Sequence, residues 1–184
     1  WPHLRRDLPQ VRENWPILLI LSILSITAYN TFLYYGLVTT TAINALLINT
    51  SRPAVIVLLS ILFFRQGITL KQSLGFLLAF IGTIEIIIKG EESRLISLEF
   101  NDGDLWVLAA MFCWALFTVL LRKQPNIHPT SFVAFTIFFG ALLLFPFYIW
   151  ETLFIKPTPF VIETVAGVLY LAIFATIMAY LFYN

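Results

Sequence analysis

The chain has 184 residues, of which 60% are apolar and only 11% charged, and its mean hydropathy is +0.90. A soluble domain carries about a quarter charged residues to keep its surface wet, so this composition excludes one and points to lipid as the surroundings. The formal net charge of +1 excludes an electrostatic nucleic-acid binder, and the single cysteine, Cys113, excludes an internal disulfide and a cysteine-built metal cage.

Six apolar runs follow one another at roughly 16–37, 40–64, 71–89, 104–121, 131–150 and 161–184, each near the length a helix needs to cross the hydrocarbon. Lipid offers the backbone no hydrogen-bond partners, so the runs are predicted to be helices. They are too long, and alternate too little, for a closed barrel. Asn14-Trp15-Pro16 opens the first span, with Pro in its first turn. Gly36 to Thr41 is short enough to fold the first two spans into a tight antiparallel hairpin, and Gly67 separates the second from the third. In the third, Gly75, Ala79 and Thr83 recur every four residues and suit close packing. Gly90 to Gly103 is an acidic loop, Pro125 and Pro129 break the fourth span from the fifth, and Lys156-Pro157-Thr158-Pro159 precedes the sixth. The chain opens on Trp1-Pro2 and stops inside an apolar run, so a piece of a longer protein is expected.

Alternate connections fall on opposite sides of the bilayer. Arg5, Arg6, Arg12, Arg65, Lys71, Arg122 and Lys123 lie on one side, against Lys89, Arg94 and Lys156 on the other. The basic excess places the first set, and both ends of the chain, in the cytoplasm. Ile26-Thr27-Ala28-Tyr29 in the first span is echoed by Ile177-Met178-Ala179-Tyr180 in the sixth. Those spans cross in opposite directions, and such inverted repeats are the usual build of secondary transporters.

Polar residues inside the spans carry the candidate site. Arg52 and Glu85 are the formal charges well inside them. Each lies roughly 18–21 Å from the basic end, where a charge must face protein or water, so they are expected to meet as an ion pair. Arg52 is read as an anchor for a carboxylate or phosphate on a solute, with Glu85 its counter-ion or a proton-coupling group. Pro53 is expected to kink the second span. The freed carbonyls, with Asn49 and Asn44, are expected to line a cavity, Asn44 serving rather as a bond between helices. Tyr29, Asn30 and Tyr180 suit a pocket for an organic solute, and Trp114 is a candidate for its floor. Trp15, Tyr34, Tyr35, Trp106 and Trp150 read as an interfacial belt. His3 and His128, both in loops, have no metal partner nearby in the sequence. No Ser-His-Asp set, phosphate-cradling glycine loop or metal motif is present, so neither an enzyme nor a cofactor is expected.

The stretch Phe32-Leu33-Tyr34-Tyr35-Gly36-Leu37, then Thr39 through Asn49, then Pro53, resembles the third and fourth helices of the repeat in the drug/metabolite transporter superfamily, EamA-type permeases of ten helices. Gly75 to Gly82 ahead of Ile86-Ile87-Ile88 resembles its fifth, and Asp104-Leu105-Trp106 through Cys113-Trp114-Ala115 the opening of the second copy. Two positions depart from the pattern: Gln66 stands where an acidic residue is common, and Arg52 where a small or apolar one is. The resemblance implies an all-α integral membrane bundle of about six helices, part of an inverted five-plus-five repeat. Residues 1–90 would end the first repeat, 91–103 would be an extracytoplasmic loop, and 104–184 would begin the second. It implies a permease for a small organic metabolite or drug-like solute, working by alternating access in the bacterial inner membrane. The expected partners are the solute and the lipid bilayer, with a homodimer open to it and no nucleic acid. The rival readings are an intramembrane lipid-modifying enzyme and a non-transporting assembly or sensor subunit.

Overall fold

The computed structural model describes residues 2–65, 69–88, 101–154, 161–170 and 174, and among them every regular element is helical. Four of the expected spans, Trp15–Thr39, Ala42–Phe64, Asp102–Lys123 and Pro129–Phe154, are long and apolar enough to cross a membrane. The third is a helix over Leu70–Ile88, and the sixth is described as a helix over Ile162–Tyr170. The all-α membrane bundle expected from composition is therefore the fold.

A helix that hydropathy did not announce comes first: α1, Pro2–Glu13, polar and basic. Asn14 closes it by donating from Nδ2 to the Gln10 carbonyl at 2.9 Å. Span one then runs through α2 (Trp15–Ser22), a π-helical stretch (Ile23–Ala28) and α3 (Tyr29–Thr39). Ser22 and Ser25 satisfy their buried hydroxyls on the carbonyls one turn back, each at 2.7 Å, which lets polar side chains sit in an apolar span. Thr40 is extended, and Thr41 caps the next helix by accepting from the Asn44 N–H at 3.2 Å. The hairpin expected between the first two spans thus turns within two residues.

Span two is interrupted where Pro53 demanded it. Helix α4 (Ala42–Thr50) ends in a tightened turn in which the Ser51 N–H donates to the Ile48 carbonyl at 3.1 Å, and α5 (Arg52–Phe64) starts with the proline in its first turn. Pro has no amide to give the ladder, so the break falls just before it. α6 (Leu70–Ile88) packs on α4. Its Gly75 has nothing within 4 Å of where a Cβ would stand, so the close packing expected at that glycine is not met there.

Span four, α7 (Asp102–Leu120) with a last 3₁₀ turn at Leu121–Lys123, is the axis of the packing. Val107, Ala110, Met111, Ala115 and Val119 are all but fully buried, spaced so that one stripe of the helix faces span one and both halves of span two. Leu59 joins Ala115 and Val119 in the lower core. At one end, Thr40 and Asn44 meet Asp104. At the other, Arg122 and Lys123 lie over the Phe64 ring at 5.3 and 5.9 Å. Spans two and four therefore run parallel, with span one antiparallel to both. α8 (Pro129–Phe154) touches span one where Gly140 admits Ile26 and accepts from the Thr27 hydroxyl at 3.4 Å.

Residues 145–184 form a compact unit of their own, containing the last turns of α8 with Pro146 and α9 (Ile162–Tyr170).

Glycine decides how close spans one and four come. A Cβ on Gly103 would lie 2.6 Å from the Gly36 carbonyl and from the Thr40 nitrogen, and one on Gly36 would lie 2.8 Å from the Gly103 carbonyl. Backbone cannot give way as a flexible side chain can, so Gly103→Ala should destabilise the protein by roughly 1–3 kcal/mol. Gly75→Ala should not lower stability, and thermal unfolding in detergent compares the two.

Candidate functional site

The candidate residues converge about mid-depth. Tyr29, Arg52 and Trp114 lie ten residues from Thr39, Ala42 and Asp104 respectively, about 15 Å along each helix at the usual rise. Because those three helix ends are held together, the three side chains arrive at one level from three different spans. The Arg52 guanidinium carbon sits 5.7 Å from the Trp114 ring centre and 6.0 Å from that of Tyr29. The rings are themselves tilted together at 4.8 Å, and Phe117 backs Trp114 at 5.4 Å. Arg52 donates from Nη2 to Asn49 Oδ1, and Asn49 is oriented for this by its own amide, which donates to the Ala45 carbonyl at 2.8 Å.

Among the described contacts Arg52 is held by an amide and two ring faces and makes no ion pair with Glu85. Glu85 is exposed on α6, which packs on α4, while the Arg52 side chain turns toward spans one and four, where the aromatic faces are. A guanidinium attracted to ring quadrupoles keeps its full positive charge, worth about 0.5–2 kcal/mol per contact according to how dry it is. One donor, Arg52 Nε, is buried without a partner. The cluster is a half-buried cation, fixed in place and not neutralised.

Asn30 is not brought to the cluster by a bond: its amide donates to the Ile26 carbonyl one turn back at 2.8 Å, beside the π-helical stretch. Asn44 is drawn away from it, donating from Nδ2 to Asp104 Oδ2 at 3.0 Å. Tyr180 lies outside the described residues. Among the described residues no group of His, Cys, Asp or Glu is arranged to hold a metal ion.

Asp104 is the residue that sequence reasoning passed over. It was one of several acids near a loop, yet only 1% of it is exposed. Its Oδ1 accepts from the Thr40 hydroxyl and its Oδ2 from Asn44 and from the Asn101 N–H at 2.8 Å, while Asn101 Oδ1 accepts in turn from the Asp104 N–H at 3.2 Å. The signal available was the Asn-x-x-Asp spacing of a reciprocal helix cap. What it did not announce was that the same carboxylate would also take the turn between spans one and two.

α1 docks at the opposite end. The His3 and His128 rings stack at 4.1 Å, and Asp7 Oδ2 accepts from the His128 N–H at 3.0 Å; two histidines without a shared role in the sequence are thus neighbours. The Asp7 carboxyl is held below its ordinary value of 3.8, first by the nearby Ser131 hydroxyl and then by the His128 N–H and the charges of His128 and His3. The Ser131 hydroxyl makes no aligned hydrogen bond, so the His128 N–H is the bond that the geometry defines.

A model of the EamA-like transporter family matches residues 2–88 and 101–184. An uncharacterized transporter of Bacillus subtilis (strain 168), YyaM, is 28% identical over 95% of this chain and 58% of its own length. A second from that organism, YetK, is 30% identical over 91% of this chain and 52% of its own, and an uncharacterized transporter of Archaeoglobus fulgidus is 34% identical over 91% and 57%. The chain spans about half the length of the curated relatives it matches. No solved structure matches it.

Two outcomes follow from these contacts. Asp104→Ala strands donors on Thr40, Asn44 and Asn101, and each buried orphan costs roughly 1–3 kcal/mol, so the variant should unfold well below the parent in a detergent melt. At the α1 end, a lowered carboxyl stabilises docking above its ordinary value of 3.8 and stops doing so as the pH falls through the bound value. Protection of the α1 amides, taken relative to their intrinsic exchange at the same pH, should therefore be high at neutral pH and fall under acid conditions below 3.8, and Asp7→Asn should lower it at neutral pH.

Proposed function

We propose that this chain, which belongs to the EamA-like transporter family, forms the central part of a secondary permease that moves a small organic solute by alternating access. It is a multi-pass membrane protein, and its relatives bear the name of transporters. The observation that carries the finer reading is the level at which Arg52, Tyr29 and Trp114 meet. A permease needs its binding groups near mid-bilayer, on helices that can be interrupted there, so that one site can be reached from either side in turn. Span two is interrupted at Ser51, immediately before Arg52, and span one is π-helical between Ile23 and Ala28, immediately before Tyr29. Local departures of this kind from the regular ladder are common at working sites.

In this reading Arg52 holds an anionic group of the solute, Asn49 orients the guanidinium, and Trp114 and Tyr29 wall the site. The basic end, with α1, Arg122 and Lys123, faces the cytoplasm, because cationic loops are retained there. The stretches that match the family leave out residues 89–100, which overlap the acidic connection expected between two inverted repeats, and this supports placing the repeats at 1–90 and 104–184.

Arg52→Leu tests the assignment in the intact protein reconstituted into vesicles. Losing a hydrogen bond to a charged group costs roughly 1.5–3 kcal/mol, so solute uptake should fall by about tenfold to more than a hundredfold while the detergent elution profile stays that of the parent. Unaltered uptake would rule out a substrate role for Arg52.

A further inference from the structure

Resting on that reading, we infer that the solute is a singly charged organic carboxylate, rather than a phosphate ester or a zwitterionic amino acid. The charge balance around Arg52 comes first. In spans one, two and four it is the one formal charge away from the helix ends, and it has no acidic partner among the described residues. A carboxylate brings the single negative charge that the cation lacks. A phosphate ester near neutral pH approaches two, and the second would stand in a poorly polarisable interior with no cation beside it. An amino acid would bring an ammonium group that needs an acceptor of its own. The nearest intramembrane acid in sequence reading, Glu85, is exposed on α6, and Asp104 spends both oxygens at the far end of the bundle.

Shape agrees with charge. Two aromatic rings already stand against the Arg52 guanidinium, and Asn49 takes one donor of Nη2. The planar edge still carries an unsatisfied donor, the buried Nε, which has no partner. A flat carboxylate meets such an edge in its own plane with two parallel hydrogen bonds, and an unsatisfied buried donor of this kind is costly until something accepts from it. The Trp114 and Tyr29 walls then favour an apolar or aromatic body behind the head group.

Four probes with one ring and different heads separate the cases: benzoate, benzamide, phenyl phosphate and phenylalanine. Binding to the intact protein in detergent is read by tryptophan fluorescence and by thermal stabilisation, and exchange in vesicles by radiolabel release. Benzoate should bind about tenfold or more tightly than each of the other three, and Arg52→Gln should erase its advantage. Arg52→Lys, which keeps the charge but loses the planar edge, should retain only part of it. Equal affinity for benzoate and benzamide, preference for phenyl phosphate or phenylalanine, or no binding of any probe overturns the inference. Uptake of a neutral solute that is indifferent to Arg52→Gln also overturns it, while leaving the permease reading intact. Benzoate bound at Arg52 without any exchange across the vesicle wall supports the carboxylate site and sinks the permease.

Discussion

A guanidinium held at mid-depth in a lipid-facing bundle is the constraint around which this structure is arranged. A charged side chain at the bilayer centre costs at least about 2.5–3.5 kcal/mol unless protein or water surrounds it. Here the protection comes from an amide one turn earlier on the same span and from two ring faces on other spans. That solution differs in kind from an ion pair. A carboxylate partner would cancel the charge and leave a static strut, whereas ring quadrupoles and a neutral amide lower its energy and leave it positive. The result is a fixed cation with an unused donor, a combination that suits attraction of an anion better than it suits scaffolding.

Keeping three side chains at one level requires the helix ends to be in register, and the far end of the bundle enforces it. Gly36 and Gly103 allow the backbones of spans one and four to touch, and the buried Asp104 carboxylate gathers Thr40, Asn44 and Asn101 around the same point. Both devices act over very short distances, so a slip of either helix by one residue, about 1.5 Å, would break them. From that seam, equal numbers of residues along each span bring Tyr29, Arg52 and Trp114 to a common level. The cap of one helix thereby positions residues three turns away from it.

Elsewhere the bundle is loosely closed. A Cβ added at Gly75 of α6 would meet open space, and large apolar side chains are exposed along every span. Lipid accepts such a surface. Polar side chains inside the spans are handled locally, by hydroxyls and amides returned to carbonyls one turn back, as at Ser22, Ser25, Asn30 and Thr136. Among the described residues Asn44, Asp104 and Arg52 reach to another segment or another span, and those set the architecture.

Four of the spans, the hairpin at Thr40-Thr41, the interruption before Pro53 and the presence of a cation inside span two were legible in the amino-acid sequence, because each follows from a property of the residue itself: apolar surface in runs, a short polar turn, a missing amide, a charge in oil. Partnership was not legible. Counting along helices put Arg52 and Glu85 at one depth but carries no information about the direction in which each side chain leaves its helix, and only packing sends Arg52 toward Tyr29 and Trp114 and Glu85 outward. Asn44 was readable as a polar residue in a span, and its place beside Asp104 depended on how closely two glycines let the helices approach. α1 and its stacked histidines escaped notice for the same reason, since a polar helix outside the membrane is stabilised by what it docks against and has no signature in hydropathy. Depth is a one-dimensional quantity that the chain itself specifies; azimuth around each helix arises from contacts between residues far apart in it, and the tertiary structure alone decided that.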